Sequence, residues 1–222
     1  LLKSPNEYES PVSREGGFLL NNLLFLTATF AIFWGTMFPV ISEAVTGSKI
    51  TVGPPFFNAV MVPIGLLLLF LTGVGPLLAW RKTSGRSLKK HFTGPILFGL
   101  LCGALSWMLG IRDVYALLSF ALCGFVTATI ATEFHRGALA RGSSSGEPYL
   151  AAIANLIGRN KRRYGGYLIH FGIVLLFIGF TGNAFDEETE AGLKVGESLN
   201  VGAFRLEYEG FTETTNPLTA VI

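Results

Sequence analysis

A chain of 222 residues is long enough for one or two soluble domains, but half of its residues are hydrophobic and only 14% are charged, against about 25% charged in soluble domains. With a mean hydropathy of +0.50 this is a membrane composition, and a net charge of +2 is too small to draw nucleic acid. The chain starts at Leu1 rather than Met, and Leu218 to Ile222 continues a strand-like pattern, so both ends read as cut; no charged start followed by a short apolar run and a small-residue cleavage site marks a signal peptide.

Five stretches, Leu19 to Ser42, Phe56 to Trp80, Phe92 to Gly110, Val114 to Phe134 and Tyr167 to Phe185, reach or approach the roughly 20 apolar residues that cross a bilayer core about 30 Å thick at about 1.5 Å per residue. They are apolar all round, as in Leu66 to Leu71 and Ile173 to Ile178, where a soluble helix would keep a polar face. Pro39, Pro63 and Pro76 lie within or near the ends of the first two and predict kinks or early terminations there. The expected fold is therefore an all-α membrane bundle of about five transmembrane helices. Lys and Arg gather in the connections after the second stretch (Arg81, Lys82, Arg86, Lys89, Lys90) and after the fourth (Arg136, Arg141, Arg159, Lys161, Arg162, Arg163), while the connections after the first and third carry only Lys49 and Arg112. By the positive-inside rule residues 1–17 are cytoplasmic, residues 18–185 form the membrane region, and the acidic run Asp186, Glu187, Glu188 and Glu190 opens an outer segment, 186–222.

Within the second basic connection, Arg141-Gly142-Ser143-Ser144-Ser145-Gly146 has the composition of a flexible linker, and the Ala/Leu/Ile stretch from Pro148 to Ile157 reads as a short helix at the membrane surface. Past the last span, Phe204, Leu206 and Tyr208 alternate with Arg205, Glu207 and Glu209 before Gly210, the pattern of strands. A small β-rich extracytoplasmic domain is expected to begin here, with too few strands to bury a core alone.

Candidate chemistry is sparse. Cys102 and Cys123 stand 21 residues apart in apolar segments and form no CxxC or CxxCH motif, so they read as small packing residues. No phosphate-binding glycine loop, HExxH, GxSxG or intramembrane carboxylate pair is present, and the basic run Arg159 to Arg163 is explained by topology before any lipid headgroup. Of the three histidines, His91 follows Lys89 and Lys90 and reads as solvated, and His135, beside Glu133 and Arg136, reads as interfacial or locally hydrogen-bonded. His170 lies in Tyr167-Leu168-Ile169-His170-Phe171-Gly172, about one turn inside the boundary marked by Arg162 and Arg163. An ionisable group within a span is a functional candidate by default, and neutral imidazole is a common haem-iron ligand. Gly165, Gly166, Gly172 and Gly179 include spacings of seven, a lean stripe that lets a flat cofactor or another helix come close. From these residues alone three readings stay open: haem ligation, a packing hydrogen bond, and proton or substrate handling.

Ser13-Arg14-Glu15-Gly16-Gly17-Phe18-Leu19-Leu20-Asn21-Asn22-Leu23, preceded by Leu2-Lys3-Ser4-Pro5, resembles the start of a membrane helix in the CcmF family of cytochrome c biogenesis proteins. So do Phe33-Trp34-Gly35-Thr36-Met37-Phe38-Pro39, Val52-Gly53-Pro54-Pro55-Phe56-Phe57-Asn58, Glu133-Phe134-His135-Arg136-Gly137 and Arg162-Arg163-Tyr164-Gly165-Gly166-Tyr167-Leu168-Ile169-His170-Phe171-Gly172. These matches run in order over nearly the whole chain, and the nitrite-reductase-associated haem lyase of the same superfamily is similar. The resemblance implies a haem lyase component of the bacterial inner membrane, with its N-terminal end cytoplasmic and its C-terminal end periplasmic. Its implied partners are a haem chaperone, apocytochrome-handling membrane proteins, apocytochrome c and quinol, in the attachment of haem to CxxCH motifs. It also implies that His170 is one axial ligand of a non-covalent transmembrane haem b that keeps delivered haem reducible, with no catalytic residue in this chain. The family's tryptophan-rich WWD segment, its flanking histidines and the opposite haem b ligand have no match here and are expected before Leu1, so this stretch by itself is expected to be inactive. A transporter or haem exporter is the rival from another class, although Asn21, Asn22, Asn58 and His170 offer few polar groups for a path; a structural subunit in which His170 only packs is the second.

Overall fold

The computed structural model describes residues 10–78, 85–185, 189, 191–202, 204–211, 214–216 and 219–221. The start of the first matching stretch, Trp80, Arg81 and Lys82, and the acidic run from Asp186 to Glu190 other than residue 189 lie outside the described residues, and of Arg86 only the backbone is described. The chain divides into two units, Leu1–Ala184 and Phe185–Ile222.

The first unit is helical: α1 Arg14–Thr46, α2 Pro54–Val74, α3 Gly85–Met108, α4 Val114–Ser145, α5 Tyr149–Arg159 and α6 Lys161–Thr181. Five of them, all but α5, are long and apolar enough to cross a membrane, so this is a multi-pass helical membrane protein. Local chemistry fixes several ends. Ser13 and Asp113 cap α1 and α4 by accepting the N–H of Gly16 (3.0 Å) and Ala116 (2.7 Å), satisfying donors that a helix start leaves free. Pro54 and Pro55 open α2, where a missing N–H costs nothing. Near Pro76 α2 gives way to a 3₁₀ turn, Gly75–Leu77, whereas α1 and α2 run through Pro39 and Pro63.

Three helices are longer at their basic ends than the apolar stretches: α3 starts at Gly85 rather than Phe92, α4 runs to Ser145 rather than Phe134, and α6 starts at Lys161 rather than Tyr167. Apolarity measures how much helix can lie in hydrocarbon, not where backbone hydrogen bonding stops, and Lys, Arg and Glu are good helix formers. The Arg141 to Gly146 segment is accordingly not a flexible linker. Ser143, Ser144 and Ser145 donate their hydroxyls back to Leu139 and Arg141 carbonyls at 2.9–3.1 Å. Gly146, at φ 67°, ends the helix in the left-handed conformation, its N–H donating to the Gly142 carbonyl. Arg141 then grips Glu147 through two bonds of 2.6 and 2.8 Å, which with the Asn155 amide pulls the Glu147 carboxyl down to about 2. The short helix expected from Pro148 to Ile157 is α5.

α4 is the hub, packing against α2, α3, α5 and α6, while α1 lies on α2. The main core joins Leu69 and Val74 of α2, Cys123, Phe125, Val126 and Ile130 of α4, Ala152 and Leu156 of α5, and Tyr164, Tyr167 and Val174 of α6. Leu24, Ala28 and Ile64 form a separate seam between α1 and α2. At about 25 cal/mol per Å² of apolar area, the outward leucines and phenylalanines of α1 would cost heavily in water, and lipid removes that cost.

The second unit contains two antiparallel hairpins, β1 Ser198–Val201 with β2 Phe204–Glu207 and β3 Thr214–Asn216 with β4 Thr219–Val221. Leu199 pairs with Leu206, and backbone bonds from Gly196 to Tyr208 (2.8 Å) and from Tyr208 to Glu197 (2.9 Å) carry the first ladder further. The alternation of Phe204 and Leu206 does not sort them inward: every residue of β2 is exposed, as two short strands have no second layer to pack on.

Candidate functional site

His170 sits near the middle of α6. At about 100° per residue, Tyr167, His170, Val174 and Phe177 share one face, and it is the face that packs inward. Tyr167 and Val174 are buried, Val174 completely, and its carbonyl accepts the Cys123 thiol of α4 (3.8 Å). The Nδ1 atom of His170 is buried with no hydrogen-bond partner among the described residues. The glycine stripe is elsewhere. Gly165, Gly172 and Gly179 fall about half a turn or slightly less around the helix from His170, and a Cβ on any of them would meet nothing within 4 Å. Gly166, one turn before the histidine, is equally open.

Two turns before Val174, where α6 meets the C-terminal half of α4, is a polar cluster that sequence reasoning did not single out. Glu133 is buried, its side chain 6% exposed. One carboxylate oxygen accepts Nη2 of Arg163 at 2.6 Å and the Tyr167 hydroxyl at 3.3 Å; the other accepts Nη1 of Arg136 at 3.2 Å. Arg163 Nε also donates to the Tyr167 hydroxyl (3.3 Å), and its guanidinium lies over the Tyr164 and Tyr167 rings at 5.7 and 6.0 Å. The buried carboxylate is thus fully engaged, as a charge at such depth requires, while the two arginines remain half exposed, at 49% and 54%. The signal was present in the sequence: Glu133 is a lone acid inside the fourth apolar stretch, and the rule that marks an intramembrane ionisable residue as functional applies to it as to His170.

The arginines open onto a cleft of about 650 Å³ at the end of the bundle, lined also by His91, Gly137, Leu77, Leu78, Leu156 and Tyr164. His91, expected as a solvated residue, stands at this cleft. His135 points to α5 instead, its Nδ1 3.0 Å from the Tyr149 hydroxyl, the local hydrogen bond anticipated for it. Cys123 is buried and Cys102 partly so. The cleft does not include His170. Among the described residues no group of three or more His, Cys, Asp or Glu side chains is placed to hold a metal ion, so the structure brings forward single donors and one salt-bridged cluster rather than a multidentate centre.

Five helices long and apolar enough to cross a membrane, with α4 at the hub and one imidazole on the inward face of α6, define a polytopic helical membrane protein. Curated relatives supply the family. The chain is 33% identical over 215 residues to the cytochrome c-type biogenesis protein CycK of Rhizobium meliloti, a match covering 94% of this chain and 30% of that protein. It is 29% identical to the cytochrome c-type biogenesis protein CcmF of Pseudomonas aeruginosa, over 92% of this chain and 30% of that protein. It is 26% identical to NrfE of Haemophilus influenzae, also named a cytochrome c-type biogenesis protein, over 93% of this chain and 30% of that protein. No protein-family model matches the chain, and no solved structure does. The chain belongs to the CcmF family of cytochrome c-type biogenesis proteins, and it spans about 30% of the length of the curated relatives it matches.

Proposed function

We propose that this chain takes part in cytochrome c maturation as a membrane-embedded section of a haem lyase, with His170 an axial ligand of a transmembrane haem b. The observation that carries the proposal is the His170 ring, set on an inward helix face in an apolar span with its Nδ1 buried and unpartnered. Leaving a buried polar atom unsatisfied costs on the order of 1–3 kcal/mol, and an imidazole in that setting has the donor chemistry of a haem ligand. His135 is engaged with Tyr149 and His91 stands at the cleft, which leaves His170 as the donor of choice. A haem held there supplies one-electron redox capacity. The chain's own part is positional: α6 is a continuous helix over Lys161–Thr181, so its imidazole is carried on a rigid element, and Val174 and Tyr167 exclude water on either side. The same reading takes the family's partners with it: a haem chaperone, apocytochrome c and its handling proteins, and quinol as reductant. It also sets the chain in the inner membrane, with the arginine-rich end of the bundle cytoplasmic and the hairpins periplasmic.

The reduced-minus-oxidised visible spectrum of the protein purified from its membrane tests this, with native His170 beside His170→Ala and His170→Gly, the latter with and without imidazole. The expected outcome is a six-coordinate b-type signal in the native protein, its loss in both variants, and its return when imidazole is added to the Gly variant. An unchanged spectrum in all three makes His170 a packing residue.

A further inference from the structure

Glu133 presents one negative charge to two guanidiniums, those of Arg136 and Arg163, so the three groups together carry one surplus positive charge. Geometry decides where it points: the carboxylate lies behind, 6% exposed, and the arginines stand in front of it, half exposed, on the wall of the 650 Å³ cleft. The third arginine of the wall, Arg141, is neutralised by Glu147. The donors are only partly used. Arg136 spends Nη1 on Glu133, and Arg163 spends Nη2 on Glu133 and Nε on Tyr167, which leaves Nε and Nη2 of Arg136 and Nη1 of Arg163 without partners among the described residues.

A second observation comes from Tyr164, whose side chain packs against Phe134 and Tyr167 and is only 4% exposed. Its hydroxyl makes no hydrogen bond among the described residues, and the residue belongs to the lining of the cleft. It rests against Gly137, where a Cβ would collide with that hydroxyl oxygen, so the absence of a side chain at 137 is what lets the hydroxyl sit there. A phenol hydroxyl on a residue that lines the cleft, beside a half-exposed guanidinium pair, is a donor set for tetrahedral oxyanions. Leu77, Leu78 and Leu156 of the same wall give an attached apolar group something to lie on.

We propose that this cleft binds a phosphate group, carried on a phospholipid head or as soluble phosphate, held by Arg136 and Arg163 with Tyr164 donating its hydroxyl. The site is independent of His170 and of the haem reading. Glu133 keeps both arginines in place and sets the net charge of the pocket at +1 rather than +2, favouring a singly charged phosphodiester over a dianion.

The experiment uses the purified protein in zwitterionic detergent, with two probes in separate arms: phosphatidylglycerol, against phosphatidylcholine as the neutral control, and inorganic phosphate. Binding is read by native mass spectrometry for the lipid and by thermal shift for both. Wild-type protein is expected to retain one phosphatidylglycerol that phosphatidylcholine does not displace. Tyr164→Phe, which removes one oxygen and leaves the ring packing, is expected to weaken retention about fivefold, and Arg136→Gln about tenfold or more, both with an unaltered haem spectrum. Arg205→Gln, at an exposed site on β2, is the control for bulk charge and is expected to change nothing. Saturable stabilisation by inorganic phosphate alone, lost in the same two variants, assigns the site to soluble phosphate and supports the proposal. Equal binding by wild type, Tyr164→Phe and Arg136→Gln overturns it, as does an equal loss in Arg205→Gln, and so does the absence of binding by either probe.

Discussion

Two sets of glycines on two helices of similar composition have opposite surroundings. On α3, Gly99 and Gly103 face α4 so closely that a Cβ at Gly99 would lie 2.6 Å from the Ala121 carbonyl oxygen, and one at Gly103 would lie 3.2 Å from the Ala121 Cβ; from the α4 side, a Cβ at Gly124 would lie 2.6 Å from the Cys102 sulfur. On α6, Gly165, Gly172 and Gly179 meet nothing within 4 Å. Apolar side chains gain little by leaving lipid for protein, so membrane helices associate where small residues let backbones approach and dispersion contacts accumulate. The α3–α4 seam is a completed contact of that kind, and the α6 stripe is the same chemical device presented outward. Small residues at helical spacing therefore say that a close approach is permitted, and only the position of neighbouring helices says whether it has happened.

The largest effect expected from breaking the seam is at Gly99. Gly99→Val places branched carbon against a backbone carbonyl that has no rotamer to yield, and overpacking of this order costs about 2–3 kcal/mol. Unfolding of the detergent-solubilised protein, followed by circular dichroism against a denaturing detergent, measures it; a loss below about 0.5 kcal/mol would mean that α3 and α4 are not held this tightly. Next comes the polar counterpart of the seam, where α4 meets α6 through Glu133. Removing one member of a fully buried pair costs about 3–5 kcal/mol, but Arg136 and Arg163 are half exposed and resolvate, so Glu133→Gln is expected to cost about 1–2 kcal/mol in the same assay. No change would place the charge network outside the packing of α6.

Much of this arrangement can be read from the residues before any coordinates. The five spans are legible because about 20 apolar residues in a row have few other fates, whereas the inward face of His170 is not, since the span is apolar all round and only the burial of Tyr167 and Val174 shows which side packs. Gly99-x-x-x-Gly103 is legible in principle, as a small-xxx-small pattern inside a span, yet nothing in the sequence tells that a neighbouring helix occupies it while the seven-residue glycine spacing on α6 is open. The basic ends of α3, α4 and α6 are hidden by their polarity, because hydropathy follows the solvent and the helix follows hydrogen bonding. Ser143, Ser144 and Ser145 mislead for a related reason: their composition is that of a linker, but each hydroxyl bonds back to a helix carbonyl instead of competing with the helix. The cleft is the least legible feature. Its residues come from the turn after α2 and from α3, α4, α5 and α6, and only the packing of α5 and α6 against α4 brings Arg136, Arg163 and Tyr164 to one wall.

The smallest expected effect tests the outward half of the comparison. Gly172→Ala adds a methyl group that meets nothing within 4 Å, so packing should be untouched, while the helix interior gains the propensity difference between Ala and Gly, about 0.8–1 kcal/mol. The protein is therefore expected to be slightly more stable, in the opposite direction to Gly99→Val although both replace a helical glycine. Measured in detergent and again in lipid bilayers, the two values should agree if the stripe faces only acyl chains. A gain in detergent that turns into a loss of more than about 1 kcal/mol in the bilayer would mean that another helix seats itself against Gly165, Gly172 and Gly179 in the membrane. The α6 stripe would then be a second seam of the α3–α4 type, on the side of the helix away from His170, and the partner helix would leave the imidazole face free.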